Sequence, residues 1–420
     1  MSAFKTQASA PAGVYEHSSH KAQGTEAFVP GVCLLQEPIS LPAAVVYQSR
    51  LNNNLGWMQQ FANSRGVALA PHGKTTMTPD FFKRQRDAGA WAITLATVAQ
   101  VAAAFNAGIE RVVMANQLVG RANMARVSQL LAAGNRDFYC LVDSVANIEQ
   151  LQSFFAERGQ KLKVLIEIGV SGARTGARTN AEVQALCKAL ATCDALQLAG
   201  VETYEGVING DNMQERIRDH LVRVRDTCFT LLQENRFDTE QVILTGAGSA
   251  WYDLVSEIFT DIKHPRVLPV IRPGCYLIHD QGIYLEAQNN LRQRMGDSCT
   301  LEGDLTSALE VWAYVQSIPE PGLAILTLGK RDAAFDAGLP QPALHYRPGS
   351  SAPRQAPGNW TVYHIMDQHS AMQVPADADI AVGDMIALST SHPCLTFDKW
   401  RSVYVMDDNY NLLEHLQTCF

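Results

Sequence analysis

Apolar residues in the first two thirds of the chain fall into short runs that alternate with stretches of helical periodicity. This alternation extends from about residue 46 to residue 275. Eight runs have the length and composition of buried strands: Val67–Ala70, Ala92–Ala96, Arg111–Ala115, Phe138–Val142, Lys163–Ile168, Gln197–Thr203, Val242–Leu244 and Val267–Ile271. Eight buried strands separated by helices predict an α/β fold, a (β/α)₈ barrel rather than an open sheet.

Amphipathic stretches lie before and between these strands, with apolar positions on one helical face. They cover Tyr47–Ser64, Ala99–Asn106, Asn123–Ala133, Asn147–Glu157, Ala181–Ala191 and Gln214–Asn235. Barrel enzymes carry their chemistry on the loops after the strands, so polar and glycine-rich segments at those positions are the candidates for a site.

The pattern changes after residue 275, where Pro and Gly punctuate residues 319–360 and no helical period persists. Five segments are β-like: Thr306–Ser317, Leu323–Leu328, Trp360–Met366, Met385–Ser389 and Arg401–Met406. We therefore predict a barrel over 46–275 and a mostly β domain over 276–420. The segment 1–45 is expected to join the β domain in part, through a strand within Val32–Leu41.

Composition is consistent with a two-domain protein of the cytoplasm. The chain has 420 residues, of which 47% are hydrophobic, and its net charge of −8 is spread along the sequence. Scattered charge of this sign argues against nucleic acid or an anionic membrane as a partner. No run of eighteen apolar residues and no secretory signal is visible, and nine cysteines without CxxC pairs indicate reduced thiols.

Lys74 is the first candidate for catalysis. It follows the first predicted strand in the run Ala70-Pro71-His72-Gly73-Lys74-Thr75-Thr76, before a helix start at Thr78-Pro79-Asp80. A desolvated amine at the end of a barrel strand is a nucleophile that can form a Schiff base with pyridoxal phosphate (PLP). The alternative is a solvated loop lysine, and the local motif alone does not decide between them.

Gly246-Ala247-Gly248-Ser249 connects the seventh strand to a helix. Glycines allow backbone N–H groups to approach an anion, and a helix start favours negative charge, so a phosphate is the expected ligand. A tight turn that needs glycine for geometry explains the same residues. A phosphate site here, with a hydroxyl from Tyr276 and an amine at Lys74, matches the two ways in which PLP is anchored.

Two further barrel loops offer contacts for the cofactor ring. Arg174 follows the fifth strand in a glycine-containing loop that begins at Glu167, and an arginine near the pyridine nitrogen opposes full protonation of the ring. A salt bridge from Arg174 to Glu167 is the alternative. Tyr204, after the sixth strand, either packs on the ring or covers the end of the barrel.

Ser391-His392-Pro393-Cys394 is a candidate metal site. On an extended segment, residues two apart point the same way, and imidazole with thiolate is a pair that zinc favours. Two protein ligands leave positions open for substrate or water, as catalysis requires. Taken alone, a His-x-Cys pair is more often unrelated to metal.

Together these motifs resemble the fold type III PLP enzymes, in the branch of D-serine dehydratases and D-threonine aldolases. The branch's PLP-lysine motif resembles Pro71–Thr75, its arginine loop resembles Glu167–Gly176, and its RPG-x-Y segment resembles Arg272–Tyr276. His392-x-Cys394 is similar to the metal site of the dehydratases. The resemblance implies that the cofactor contacts are Lys74, His72, Arg174, Tyr204, Gly246, Gly248, Ser249 and Tyr276. Ala247 and Glu205 depart from the family pattern, and the roles of Glu205 and Asp398 stay open.

The resemblance also implies a reaction. Lys74 would hold PLP and remove the α-proton of a D-β-hydroxy amino acid such as D-serine or D-threonine. Zinc, or another divalent metal ion, on His392 and Cys394 would polarise the β-hydroxyl. The products would be a 2-oxo acid and ammonia, and the protein would be a homodimer in which one β domain approaches the other barrel. The alternatives are a D-threonine aldolase, whose metal pair is usually His and Asp, and then a PLP racemase or a non-catalytic PLP-binding protein.

Overall fold

The structure, a computed structural model, describes residues 21–22, 28–296 and 301–420. The α-helices are α1 Gln48–Arg65, α2 Pro79–Asp87, α3 Val98–Asn106, α4 Arg121–Ala132, α5 Val145–Ala156, α6 Asn180–Leu190, α7 Met213–Gln233, α8 Tyr252–Phe259, α9 Ile283–Met295 and α10 Pro393–Phe397. The strands are β1 Val32–Cys33, β2 Ala43–Tyr47, β3 Ala68–Leu69, β4 Ile93–Leu95, β5 Arg111–Gln117, β6 Asp137–Val142, β7 Leu162–Glu167, β8 Leu196–Glu202, β9 Val242–Gly246, β10 Val267–Ile271, β11 Leu309–Glu320, β12 Leu323–Leu326, β13 Gln341–Tyr346, β14 Arg354–Gln355, β15 Thr361–Ile365, β16 Ser370–Gln373, β17 Met385–Ser389, β18 Ser402–Met406 and β19 Asn411–Gln417.

Strands β3 to β10 form one parallel sheet in the order β3-β10-β9-β8-β7-β6-β5-β4. A parallel bridge between His72 and Thr94 joins its two ends, and the Thr94 N–H donates to the Pro71 carbonyl at 2.8 Å. The predicted α/β barrel is therefore confirmed, and each of the eight predicted strands overlaps an observed one. The seam closes directly before Lys74.

Side chains that point into the barrel fill its interior. Alanine, tyrosine and branched aliphatic residues from all eight strands or their ends form one buried cluster: Ala70, Ala92, Val113, Tyr139, Leu141, Leu165, Ala199, Ile243 and Val270. Such a packed interior leaves the loops at the carboxyl ends of the strands as the place for a site. Within the described ranges, no helix is both long and apolar enough to cross a membrane.

The second sheet is built around β11, which pairs with β2, β12 and β17. The segment before the barrel contributes to this sheet, because β1 pairs with β19 and β2 runs parallel to β18. Within Val32–Leu41 only Val32–Cys33 is a strand, since Glu37 adopts a left-handed conformation and Pro38 cannot donate to a ladder. The longer strand lies just beyond that stretch, in β2.

Helix α9 contradicts the prediction that helical periodicity ends at residue 275. Of its thirteen residues only Gln288 and Leu291 are buried, so its sequence lacks the apolar stripe by which amphipathic helices are recognised. Asp280 fixes its start, because the Asp280 carboxylate accepts from the Gly282 and Tyr284 N–H groups at 2.9 and 3.0 Å. This helix brings Tyr284 to the barrel mouth.

Candidate active site

Lys74 lies in a single helical turn, Gly73–Thr75, directly after β3. A side chain at Gly73 would place its Cβ 2.6 Å from the Phe82 ring, so glycine is required for this turn to pack on α2. Lys74 itself is exposed at the barrel mouth. Among the described residues, no hydrogen bond or salt bridge holds its amine, which leaves it available for chemistry.

His72 lies beside Lys74 and marks the positive character of the pocket. Its Nδ1 atom is buried and has no hydrogen-bond partner among the described residues. Burial lowers the pKa of His72 well below its ordinary value, and the nearby charges of Lys74, Arg272 and Arg174 lower it further. The imidazole is therefore neutral, and three cations surround it, which favours an anionic ligand.

Arg174 contacts Tyr204 and not Glu167. Its guanidinium lies 4.6 Å from the centre of the Tyr204 ring, whereas the Glu167 carboxylate accepts from Gln117 at 2.6 Å and from Thr175 at 2.7 Å. The Arg174–Glu167 alternative raised by the sequence is thus wrong. Arg174 is exposed and Tyr204 partly buried, so both border the open mouth of the barrel.

The glycine loop after β9 is occupied by a side chain of this protein. The buried Glu205 carboxylate accepts from the Ala247 and Gly248 N–H groups at 3.0 and 2.9 Å. Burial raises the pKa of Glu205, which these N–H groups oppose. The Gly248 N–H is therefore not free for a phosphate, contrary to the prediction; a Cβ at Gly248 would lie 2.8 Å from the Tyr204 ring. Gly246 is the last residue of β9.

Ser249 and the loop after β10 form a second group of polar atoms. The Ser249 hydroxyl accepts from the Gly274 and Cys275 N–H groups at 3.2 and 3.1 Å. A Cβ at Gly274 would lie 2.5 Å from the His72 carbonyl oxygen, so glycine allows these loops to touch. The Tyr276 hydroxyl is buried and accepts from Gln85 at 3.2 Å, behind this group.

A buried ion pair supports the floor of the pocket at the ends of β8 and β10. The Arg272 guanidinium pairs with Glu202, and it also donates to the Thr245 hydroxyl at 2.9 Å and the Thr203 carbonyl at 3.1 Å. Burial raises the pKa of Glu202 to about 7, although Arg272 opposes the shift. Glu202 Oε2 has no partner within the described part of the chain.

His392 and Cys394 lie at the start of α10. The prediction of an extended segment holds for His392, but Pro393 begins the helix, so Cys394 is in its first turn. His392 Nδ1 lies 2.7 Å from Asp336 Oδ2. The hydrogen bond to Cys394 and then Asp336 raise the pKa of His392 to about 9. Hydrogen bonds with Cys275, His392 and Thr75 lower the pKa of Cys394 to about 5.

The two domains meet at Cys394 within a single chain. Cys394 Sγ lies 3.4 Å from Thr75 Oγ1, next to Lys74, and 3.4 Å from Cys275 Sγ. Thr75 Oγ1 and Cys275 Sγ are 3.6 Å apart. The described residues contain no group of three or more His, Cys, Asp or Glu already arranged to hold a metal ion. The metal pair His392/Cys394 therefore stays a prediction.

Sequence reasoning missed several residues of this site. Cys275 occupies the variable position of the RPG-x-Y segment, Tyr284 belongs to the unrecognised helix α9, and nothing in the sequence pointed to Asp336, which lies 56 residues before His392. The ring of Tyr284 lies 6.4 Å from that of His392. Asp398 is exposed and pairs with Lys399 at 3.7 Å, while its backbone N–H donates to the Cys394 carbonyl at 3.2 Å.

Two family models cover most of the chain. The model described as "Alanine racemase, N-terminal domain" matches residues 46–279, and the model described as "Putative serine dehydratase domain" matches residues 308–406. The first covers the barrel with its leading helix. The second covers most of the β domain, including His392 and Cys394.

Whole-length relatives agree with this arrangement. The chain is 32% identical over 371 residues to the D-threo-3-hydroxyaspartate dehydratase of Delftia sp. (strain HT23), covering 85% of this chain and 92% of the relative. It is 26% identical over 378 residues to the D-threonine aldolase of Arthrobacter sp., covering 88% and 90%. A metal-free cysteine-to-alanine variant of D-threo-3-hydroxyaspartate dehydratase has the same fold, with a TM-score of 0.71 at 22% identity, covering 92% of this chain and 99% of that one.

Fold and sequence place this chain in the fold type III PLP-dependent enzymes. Within them it belongs to the lyase branch that contains these dehydratases and aldolases.

Proposed function

We propose that this protein is a PLP- and zinc-dependent dehydratase that converts a D-β-hydroxy amino acid, such as D-serine, D-threonine or D-threo-3-hydroxyaspartate, to a 2-oxo acid and ammonia. The observation that carries the proposal is the junction at Cys394. Its sulfur lies 3.4 Å from Thr75 Oγ1, beside Lys74, so a metal ion on Cys394 and a cofactor on Lys74 would face one substrate. We further propose a homodimer in the cytoplasm.

The pocket residues fit PLP by charge and by polar groups that can donate to a phosphate. Lys74 supplies the amine. The cations Arg174 and Arg272 lie close enough to His72 to lower its pKa, so positive charge is concentrated where an anionic cofactor would bind. Ser249 gathers two backbone N–H groups that can turn to a phosphate. Tyr204, already packed on Arg174, offers an aromatic face. Bound PLP supplies an electron sink for the negative charge on the α-carbon.

The residues at the junction fit a zinc ion. Asp336 accepts a hydrogen bond from His392 Nδ1, which leaves Nε2 as the nitrogen for the metal, and such second partners orient metal-binding histidines. Cys394 supplies a thiolate, since its pKa is lowered. A zinc ion bound here acts as a Lewis acid toward the β-hydroxyl.

Lys74 is the proton acceptor in this proposal. With PLP bound, its Nζ would take the α-proton of the substrate on the face of the pocket from which the lysine approaches. Glu202 and Arg272 hold the ends of β8 and β10 in register beneath it. Neutral His72 adds a donor or acceptor without further positive charge.

A D-threonine aldolase is the second candidate, favoured by the Arthrobacter relative at 26% identity. The two reactions differ in the bond that breaks: a dehydratase loses the α-proton and the β-hydroxyl, whereas an aldolase cleaves between the α- and β-carbons. The same PLP and metal ion serve both. The identity of the cysteine at the metal pair supports the dehydratase.

The products of the reaction test the proposal. Enzyme loaded with PLP and zinc is incubated with D-serine, D-threonine and D-threo-3-hydroxyaspartate, with the L-enantiomers as controls. We expect equal amounts of 2-oxo acid and ammonia from a D-substrate and none from its L-form. Glycine with an aldehyde as the main products would replace the dehydratase by the aldolase, and L-amino acid formed without ammonia would indicate a racemase.

A further inference from the structure

Two thiols meet between the barrel and the β domain. Cys275 Sγ, in the loop after β10, lies 3.4 Å from Cys394 Sγ at the start of α10. Both are free cysteines, and the proposed reaction uses only Cys394. Cys275 is 4% exposed, whereas Cys394 is partly exposed. In the described ranges, no other pair of cysteine sulfurs forms such a contact.

We propose that Cys275 and Cys394 form a redox modification site. Oxidation joins the two sulfurs in a disulfide, and Cys394 can then no longer bind the metal ion. Formation of the bond depends only on the two thiols. Its effect on the enzyme rests on the proposed function, because that function makes Cys394 a ligand of zinc.

The geometry requires little movement. A disulfide bond is about 2.05 Å long, so the sulfurs must approach by roughly 1.3 Å, which small rotations of two side chains can supply. Thr75 Oγ1 lies 3.4 Å from one sulfur and 3.6 Å from the other, so both thiols already face the same point.

The difference in exposure between the two thiols determines which one reacts first. A small disulfide such as oxidised glutathione reaches Cys394 first, because Cys275 is buried. The Cys394 sulfur forms a bond to one glutathione sulfur, the glutathione disulfide breaks, and one reduced glutathione leaves. The Cys275 sulfur then displaces the second glutathione, so that two thiol protons and two electrons pass to two glutathione molecules. A thiol such as dithiothreitol reverses the sequence.

Zinc and oxidation compete for the same sulfur. A thiolate that binds a metal ion is not free to attack a disulfide, so zinc on His392 and Cys394 protects the pair. Conversely, the disulfide leaves His392 without its sulfur partner. The disulfide thus forms on enzyme that has lost its metal ion, and it blocks reloading with zinc until it is reduced.

The experiment counts the crosslink directly. Full-length protein is treated with a chelator, exposed to oxidised glutathione, blocked with N-ethylmaleimide and digested with trypsin. Cleavage yields the peptides 267–292 and 355–399, each with one cysteine, Cys275 and Cys394 respectively. We expect a mass equal to the two joined peptides, which dithiothreitol separates, and zinc at saturation to slow its appearance by about ten-fold.

Variants supply the controls. Cys275→Ser should abolish the joined peptide and leave a stable glutathione adduct on Cys394, whereas Cys419→Ser, at an exposed cysteine elsewhere, should change nothing. If wild-type protein gives both peptides only in the alkylated or glutathione-bound form, the disulfide proposal is overturned while zinc binding stands. If the crosslink forms equally fast with zinc, the disulfide stands and Cys394 is not a zinc ligand.

Discussion

The barrel side and the β-domain side of the pocket are built in different ways. On the barrel side, Lys74 has no bonded partner among the described residues, and the charges around His72 are all positive. On the β-domain side, His392 is tied to Asp336 at 2.7 Å and Cys394 touches Cys275 and Thr75. The open cation suits a covalently bound anionic cofactor, and the tethered pair suits a metal ion. We therefore propose two binding chemistries in one pocket, which separate variants can test.

Replacing the lysine should have the largest effect. Lys74→Ala removes the only proposed attachment and proton acceptor, so we expect turnover to fall at least about 10⁴-fold. The visible absorbance of the lysine-bound cofactor should vanish as well. Lys74→Arg is the matched control, because it keeps the charge and should fail equally. A visible band that persists in Lys74→Ala would move the attachment to another lysine.

Replacing the metal pair should rank second. In His392→Ala or Cys394→Ala we expect turnover to fall about 10³-fold, since the Lewis acid is lost, with zinc content near zero by atomic absorption. The visible cofactor band should remain, because Lys74 is untouched. Cys419→Ala controls for loss of a thiol. Full activity in the variants, or in chelator-treated wild type, would remove the metal from the reaction.

Variants of Glu205 test whether the Glu205 side chain or a ligand stabilises the loop after β9. Glu205→Ala leaves the N–H groups of buried Ala247 and half-buried Gly248 unpaired beside a cavity, so we expect the free energy of unfolding to drop by about 3 kcal/mol. Glu205→Gln keeps the volume and one acceptor and should cost about half as much. Urea denaturation measures both. Unchanged stability in Glu205→Ala would mean that a ligand, not Glu205, organises this loop.

The smallest expected effect is a pH dependence of the free energy of unfolding, caused by His220 on the barrel side. His220 Nε2 lies 2.7 Å from Thr203 Oγ1, and burial, with Arg223 and Arg178 nearby, lowers the pKa of His220 from 6.5 to about 4. Between these values the unfolded chain binds a proton that the folded chain does not, so stability falls as pH drops through this range. Relative to His220→Gln, wild type should lose about 2 kcal/mol between pH 7.5 and pH 4.5.

Denaturation curves of the two proteins at several pH values check this. A stability difference that stays constant with pH would show that the folded protein binds a proton at His220 as readily as the unfolded one.

The barrel side could be predicted in outline because the alternation of strand and helix repeats along the sequence. Each apolar run becomes a parallel strand, and the residue after it reaches the barrel mouth, so the positions of Lys74, Arg174 and Tyr204 followed from counting. The side-chain contacts of these residues could not be predicted in the same way. The contact of Arg174 with Tyr204 and the capture of two loop N–H groups by Glu205 depend on how neighbouring loops pack.

The β-domain side was less accessible from sequence, for a physical reason. Its residues come together through pairings between distant strands, so Asp336 reaches His392 without any signal in their spacing. Helix α9, with only two buried residues, lacked the period that marks a helix, and Tyr284 was missed with it. The His-x-Cys spacing identified the metal pair as a candidate, but Pro393 turns its second half into a helix.

The central claim is that one pocket holds PLP on Lys74 and a zinc ion on His392 and Cys394. Crystals of enzyme loaded with both, measured on either side of the zinc absorption edge, test it most directly. The account predicts an anomalous peak about 2.0 to 2.3 Å from a His392 ring nitrogen and Cys394 Sγ, in the same pocket as continuous density from Lys74 to the cofactor. A peak elsewhere, or a Lys74 side chain that ends in solvent, would contradict it.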